Sequence, residues 1–120
     1  MNIGQFKKDF LHLAFNTRLN YFELSNLNEL DDQFFQFLFS LPTLNPINNY
    51  IHISDFIETI VLNKMNGITS DLIMSYLIKI KNNSLKHIGL HECKLISKRD
   101  YHSMINVVQS HNFDLCIIWS

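Results

Sequence analysis

Apolar residues recur at helical spacing in four parts of the chain and form short strand-like runs between them. Helices are predicted over residues 3–15, 69–81 and 97–109, and another is predicted to start at Asp31 or Asp32 and to stop before Pro42. Strands are predicted within residues 19–30 and over residues 84–90 and 113–119, while residues 51–62 are ambiguous between strand and helix. Because strands alternate with helices, the pattern predicts parallel βα units.

Residues 42–50, PTLNPINNY, contain both prolines of the chain and three asparagines, which is typical of a loop. We interpret this loop as an insertion and not as a linker between domains. A chain of 120 residues suits one hydrophobic core. The sequence therefore predicts a single α/β domain over residues 1–120.

An internal repeat of 28 residues relates two of the predicted units. When residues 57–84 are laid over residues 85–112 without a gap, apolar residues fall on apolar residues. The matched pairs are Ile57 with Leu85, Ile60 with Ile88, Leu62 with Leu90, Met65 with Cys93 and Ile68 with Ile96. The same period assigns Phe113, Cys116 and Ile118 to the next set of core positions.

The segment LKHIGLHECKL, residues 85–95, resembles the L-x-x-L-x-L-x-x-C-x-L signature of leucine-rich repeats, in particular the ribonuclease-inhibitor-like type. Cys93 occupies the Asn or Cys position of that signature, whereas Leu27 and Met65 stand there in the other units. The resemblance covers residues 19–120 and implies a short stack of βα units with mainly parallel strands. A helix over residues 1–17 would cap the first unit. A compact α/β sandwich is the alternative fold.

In such a stack, alternate residues of a strand point to opposite sides of the sheet. The resemblance implies that Leu85, Ile88, Leu90 and Cys93 face the core. The exposed, concave side of the sheet would then carry His87, Gly89 and His91, flanked by Thr59, Val61 and Asn63 on one side and by Leu115, Ile117 and Trp119 on the other.

The net charge and the position of the cysteines indicate which classes of partner the protein binds and in which cellular compartment it lies. Ten Lys and Arg residues stand against eleven Asp and Glu, so the chain lacks the basic excess of a nucleic-acid-binding protein. Cys93 and Cys116 both lie in apolar runs, and we interpret them as reduced core thiols. Charged residues interrupt the apolar positions of the first twenty residues, so neither a signal peptide nor a membrane span is predicted. These features predict a cytoplasmic protein that binds neither nucleic acid nor membranes.

Catalytic and metal-binding motifs are missing from the sequence. His87, His91 and Cys93 share one strand parity, but the CxxC or HExxH spacing of a zinc site is not present. No Gly-rich phosphate loop or nucleophile elbow is found either. We therefore predict no catalytic residue, no metal and no cofactor, and the alternative is a small enzyme or ligand-binding domain that uses His87 and His91.

A protein-binding module is the remaining class. Small, near-neutral α/β chains that are rich in Asn are similar in type to bacterial immunity proteins, which neutralise cognate toxins by covering their active sites. That resemblance implies a toxin as the partner, such as a nuclease with a cationic cleft, and acidic contact residues such as Glu23, Asp55 and Glu58. A leucine-rich-repeat adaptor or effector fragment is the alternative. The free chain is predicted to be a monomer or a homodimer.

Overall fold

Four parallel strands form the sheet at the centre of the fold. The computed structural model describes residues 4–6, 8–10, 12, 20–35, 43–44, 50–51, 57–79, 85–110 and 114–120. The elements with defined bounds are, in chain order, β1 (Tyr21–Ser25), β2 (Thr43–Leu44), β3 (Tyr50–Ile51), β4 (Thr59–Asn63), α1 (Ser70–Lys79), β5 (His87–His91), α2 (Lys98–Ser110) and β6 (Cys116–Trp119).

The strands of the sheet follow the order β1-β4-β5-β6, and each pair of neighbours is parallel. Helix α1 lies between β4 and β5 in the chain, and α2 lies between β5 and β6. At the middle of the sheet, Phe22 pairs with Ile60, Ile60 with Ile88, and Ile88 with Ile117. The prediction of a short stack of parallel βα units is therefore confirmed.

The predicted insertion, residues 42–50, and the residue that follows it form a small ladder. β2 and β3 pair antiparallel, with Thr43 opposite Ile51 and Leu44 opposite Tyr50, and form a second, two-stranded sheet. The ambiguous segment 51–62 includes the last residue of β3 and most of β4, while its residues 52–56 lie outside the part of the chain that the structure describes.

The same backbone turn follows β1, β4 and β5. Asn26, Lys64 and Glu92 have left-handed φ angles of 60°, 55° and 52°. A left-handed residue other than glycine costs about 1–2 kcal/mol, and a hydrogen bond offsets part of that cost. The N–H groups of these residues donate to the carbonyl oxygens of Asn63, His91 and Ser120, respectively, at 3.0, 2.8 and 2.8 Å. One turn geometry thus joins each unit to the next.

Cys93 joins two units from inside the core. Its side chain is buried, and Sγ lies 3.5 Å from the carbonyl oxygen of Leu62 and 3.6 Å from that of His91. Burial raises the pKa of the Cys93 thiol, and hydrogen bonds with the backbone oppose part of that rise. The Cys93 thiol is therefore buried, as predicted, and the structure adds its hydrogen bonds to the backbone.

Side chains cap the N-termini of α1 and α2. The cap of α1 also connects two units, in addition to the turn hydrogen bonds. Ser97 and Asp100 form a capping box at the start of α2, with N···O distances of 3.1 and 2.9 Å. The hydrogen bond from the Ser97 backbone lowers the pKa of the Asp100 carboxyl. At the start of α1, Thr69 Oγ1 accepts from the N–H of Leu72, and both the backbone and the hydroxyl of Thr69 donate to Asp32. The first unit is thus hydrogen-bonded to the N-terminus of α1.

Helical residues near the N-terminus pack on the first unit. Residues 4–6, 8–10 and 12 are helical. The ring of Phe10 lies 5.1 Å from that of Phe22 in β1, and the ring of Phe6 lies 5.6 Å from that of Phe34. These contacts place the described N-terminal residues against the core of the first unit. Residues 1–3, 7, 11 and 13–17 of the predicted capping helix lie outside the described residues.

The side chains of β6 point to the faces opposite to those predicted. Cys116 and Ile118 were expected in the core, but Cys116 is exposed and Ile118 is 53% exposed. Ile117, expected on the exposed side of the sheet, is only 4% exposed. Ile88 pairs with a residue 29 positions later, whereas Ile60 pairs with one 28 positions later. A shift of one residue exchanges the two faces of a strand, so the 28-residue period gives the wrong orientation.

Trp119 and Leu115 were also expected on the exposed side, and that prediction is wrong as well. Both pack against the hydrophobic core. The indole N–H of Trp119 donates to the carbonyl oxygen of Ile96 at 3.0 Å, and its ring stacks on Tyr101 with 6.2 Å between centroids. These contacts hold Trp119 on the side of α2.

Among the helices that the structure describes, none combines the length and the apolar character needed to cross a bilayer.

Candidate functional site

One face of the four-stranded sheet carries neither α1 nor α2, and we call it the open face. Leu77 of α1 and Met104 of α2 belong to the single core on the other side of the sheet. The alternate side chains of the strands form the open face, which consists of Tyr21, Glu23, Ser25, Thr59, Val61, Asn63, His87, Gly89, His91, Cys116 and Ile118.

The parallel register arranges the open face in rows, and its middle row holds Glu23, Val61, Gly89 and Ile118. Because Gly89 has no side chain, it leaves a depression between the side chains of Val61 and Ile118. A Cβ atom there would stand 3.5 Å from Cγ1 of Val61 and 3.0 Å from Nε2 of His91. Glycine therefore allows the imidazole of His91 to lie across the strand.

The open face is poor in charge. Glu23 is its only Asp, Glu, Lys or Arg residue, and the Tyr21 hydroxyl lies 3.5 Å from the Glu23 carboxylate. The other side chains are aromatic, amide, hydroxyl, thiol, imidazole or aliphatic groups. Depletion of charged residues with retention of aromatic residues is the composition of the central part of protein–protein interfaces.

His91 contacts a serine, which raises the question of nucleophilic chemistry. Its Nδ1 lies 2.7 Å from Oγ of Ser120. A serine nucleophile requires a base that a third group orients, but the other ring nitrogen of His91 faces Gly89. We therefore interpret the contact as a hydrogen bond between the ends of β5 and β6. The absence of catalysis stays a prediction.

Metal binding was considered for the same histidines. Within the part of the chain that the structure describes, no group of three or more His, Cys, Asp and Glu side chains is arranged to hold a metal ion. Cys93 is buried on the core side, whereas His87 and His91 lie on the open face.

The predicted partner-binding residues divide between the two faces. Glu23, Thr59, Val61, Asn63, His87 and His91 lie together on the open face. Glu58 is exposed directly before β4, and Asp55 lies outside the described residues. Leu115, Ile117 and Trp119 are on the helix side of the sheet, as described above.

Four residues of the open face were missed from the sequence. Tyr21 and Ser25 share the strand parity of Glu23, so the alternation in YFELS was a signal that could have identified both. Cys116 and Ile118 offered no such signal, because both parities of CIIW are apolar.

Comparisons of the chain with protein-family models, with curated proteins and with solved structures gave no match. The leucine-rich-repeat and immunity-protein resemblances therefore stay expectations from the sequence.

Proposed function

We propose that this protein binds another protein through the open face. The observation that carries the proposal is a sheet face that neither α1 nor α2 covers and on which Glu23 is the single Asp, Glu, Lys or Arg residue. The exposed residues of this face are Tyr21, Glu23, His87, Cys116 and Ile118. Tyr21 and Ile118 are two of the four large hydrophobic residues that are exposed among the described residues, and both lie on this face. Tyr21 lies on the edge strand β1 and Ile118 on the edge strand β6, so exposed apolar side chains flank the face at both edges.

The backbone of this face is well suited to binding. Parallel pairing holds it across four strands, and the three repeated turn hydrogen bonds tie their ends together. A surface whose backbone is already ordered loses little conformational entropy on binding, which favours affinity. The contacts are hydrogen-bonding and apolar groups, so shape complementarity supplies most of the specificity.

A cognate bacterial toxin is the partner that we propose. The support is the similarity in type to immunity proteins, together with an open face that needs no reactive group to block an active site. Glu23 is placed to pair with a cationic residue of such a partner, and Glu58 is exposed directly before β4. Inhibition would follow from covering the toxin's substrate cleft.

The test is inhibition of the protein encoded by the adjacent gene. Val61→Lys places a charge at the centre of the open face, and we expect it to weaken binding about tenfold or more, as loss of an interface hot spot does. Ile78→Lys is the matched control, because Ile78 is 58% exposed on α1 and away from the open face. Titration calorimetry measures both affinities, and circular dichroism checks that both variants fold.

Equal affinities for the two variants would exclude the open face as the interface. A product of the adjacent gene that neither binds the chain nor is inhibited by it would contradict the toxin proposal.

A further inference from the structure

The outer edge of the sheet at β6 is both apolar and unpaired. β6 is the last strand in the order of the sheet, and no described strand pairs with its outer side. Residues 115–119, LCIIW, carry no charge, and Ile118 is 53% exposed. Exposed edge strands in natural proteins usually carry charges or prolines that prevent further pairing.

The backbone of β6 offers hydrogen-bonding groups at that edge. The N–H groups of Cys116 and Ser120 donate to carbonyl oxygens in and next to β5, at 2.8 and 3.0 Å. Successive residues of a strand direct their backbone groups to opposite sides, so the N–H and C=O of Ile117 and Trp119 point away from β5. These groups are spaced for pairing with another strand.

We propose that two copies of this chain pair antiparallel through β6 and form a continuous eight-stranded sheet. The twofold axis passes beside Ile117, which lies opposite Ile117 of the second copy. Leu115 then lies opposite Trp119 of the second copy. On the open face, Cys116 lies opposite Ile118 of the second copy, so both exposed isoleucines are covered.

A second copy can pair with this edge because residues 115–119 carry no charged side chain that would repel its counterpart. Antiparallel pairing of an uncharged strand with itself places no like charges together. The other edge of the sheet differs, since pairing β1 with itself through its outward groups would centre on Glu23 and place two carboxylates opposite each other. Self-association is therefore assigned to β6 and not to β1.

Disulfide cross-linking tests the register. Ile118→Cys places a second thiol opposite Cys116 of the other copy, at a Cα separation of about 4.5 Å, which a disulfide can span. We expect a covalent dimer on a non-reducing gel after mild oxidation, and none when Cys116→Ser is added. Leu95→Cys is the control, because Leu95 is 50% exposed but not on β6.

Sedimentation velocity of the unmodified chain tests the dimer itself. We expect a monomer–dimer equilibrium whose dissociation constant rises about tenfold or more in Ile118→Lys and does not change in Leu95→Lys. A chain that stays monomeric, an open-ended series of larger species, or a dimer that Ile118→Lys leaves intact would each overturn the proposal. The experiment uses this chain alone, so its failure leaves the proposed function standing.

Discussion

Leu90→Ala is expected to lower the free energy of unfolding by about 2–5 kcal/mol. Leu90 lies in β5 between two neighbouring strands, where it pairs with Leu62 on one side and Trp119 on the other. Its side chain is fully buried. The substitution removes apolar contact and leaves a cavity that the paired strands can fill only in part, because hydrogen bonds fix the backbone on both sides.

Urea denaturation followed by circular dichroism measures this loss. Leu95→Ala is the matched control, because the same residue type is 50% exposed in the following turn. We expect the control to change stability by no more than about 0.5 kcal/mol. Equal losses in the two variants would mean that Leu90 does not lie in the core.

Gly67→Ala is expected to destabilise the fold by about 1–3 kcal/mol, because it forces two turns apart. A Cβ atom at Gly67 would stand 2.6 Å from the carbonyl oxygen of Leu30 and 3.3 Å from that of Asn28. Both are backbone atoms of the turn after β1, so no side-chain rotation relieves the contact. The first and second units must therefore separate or tilt.

Gly89→Ala is the control for this prediction. Its Cβ atom would meet Nε2 of His91 at 3.0 Å, which is the end of a side chain that can rotate away. We expect a change within about 0.5 kcal/mol. Thermal unfolding of both variants compares them, and a Gly67→Ala protein as stable as the parent would show that the two turns are not in close contact.

The sequence predicted the middle of the fold well because two units keep the same spacing. β4 and β5 pair in the register that the 28-residue repeat implies, with Ile60 beside Ile88 and Leu62 beside Leu90. Alternation then correctly placed Thr59, Val61, Asn63, His87 and His91 on one face. Local periodicity was sufficient to assign the two faces of β4 and β5, because only the second and fourth residues of each strand are consistently large and apolar.

The orientation of β6 could not be predicted from the strand itself. Residues 115–119 are apolar at every position, so alternation does not distinguish its two faces. The deciding contacts are long-range: the Trp119 indole donates to Ile96 and stacks on Tyr101. One additional residue between β5 and β6 was enough to reverse the assignment of the open face.

The backbone conformation of the turns between units could not be predicted from the sequence either. Lys64 and Glu92 adopt left-handed conformations that side chains of their type rarely favour. They do so because their N–H groups reach carbonyl oxygens 27 and 28 residues later, at His91 and Ser120. No local motif signals such a hydrogen bond.

The open face carries Cys116 while the core holds Cys93, and the reactivity of the two thiols measures this orientation. The native chain should be treated with a disulfide reagent that releases a coloured thiolate, at a protein concentration low enough to keep it monomeric. We predict that one of the two free thiols reacts rapidly, that the other reacts only after denaturation, and that Cys116→Ser abolishes the rapid reaction. A rapid reaction that persists in Cys116→Ser, or two protected thiols in the native parent, would contradict this orientation of β6 and the open face built on it.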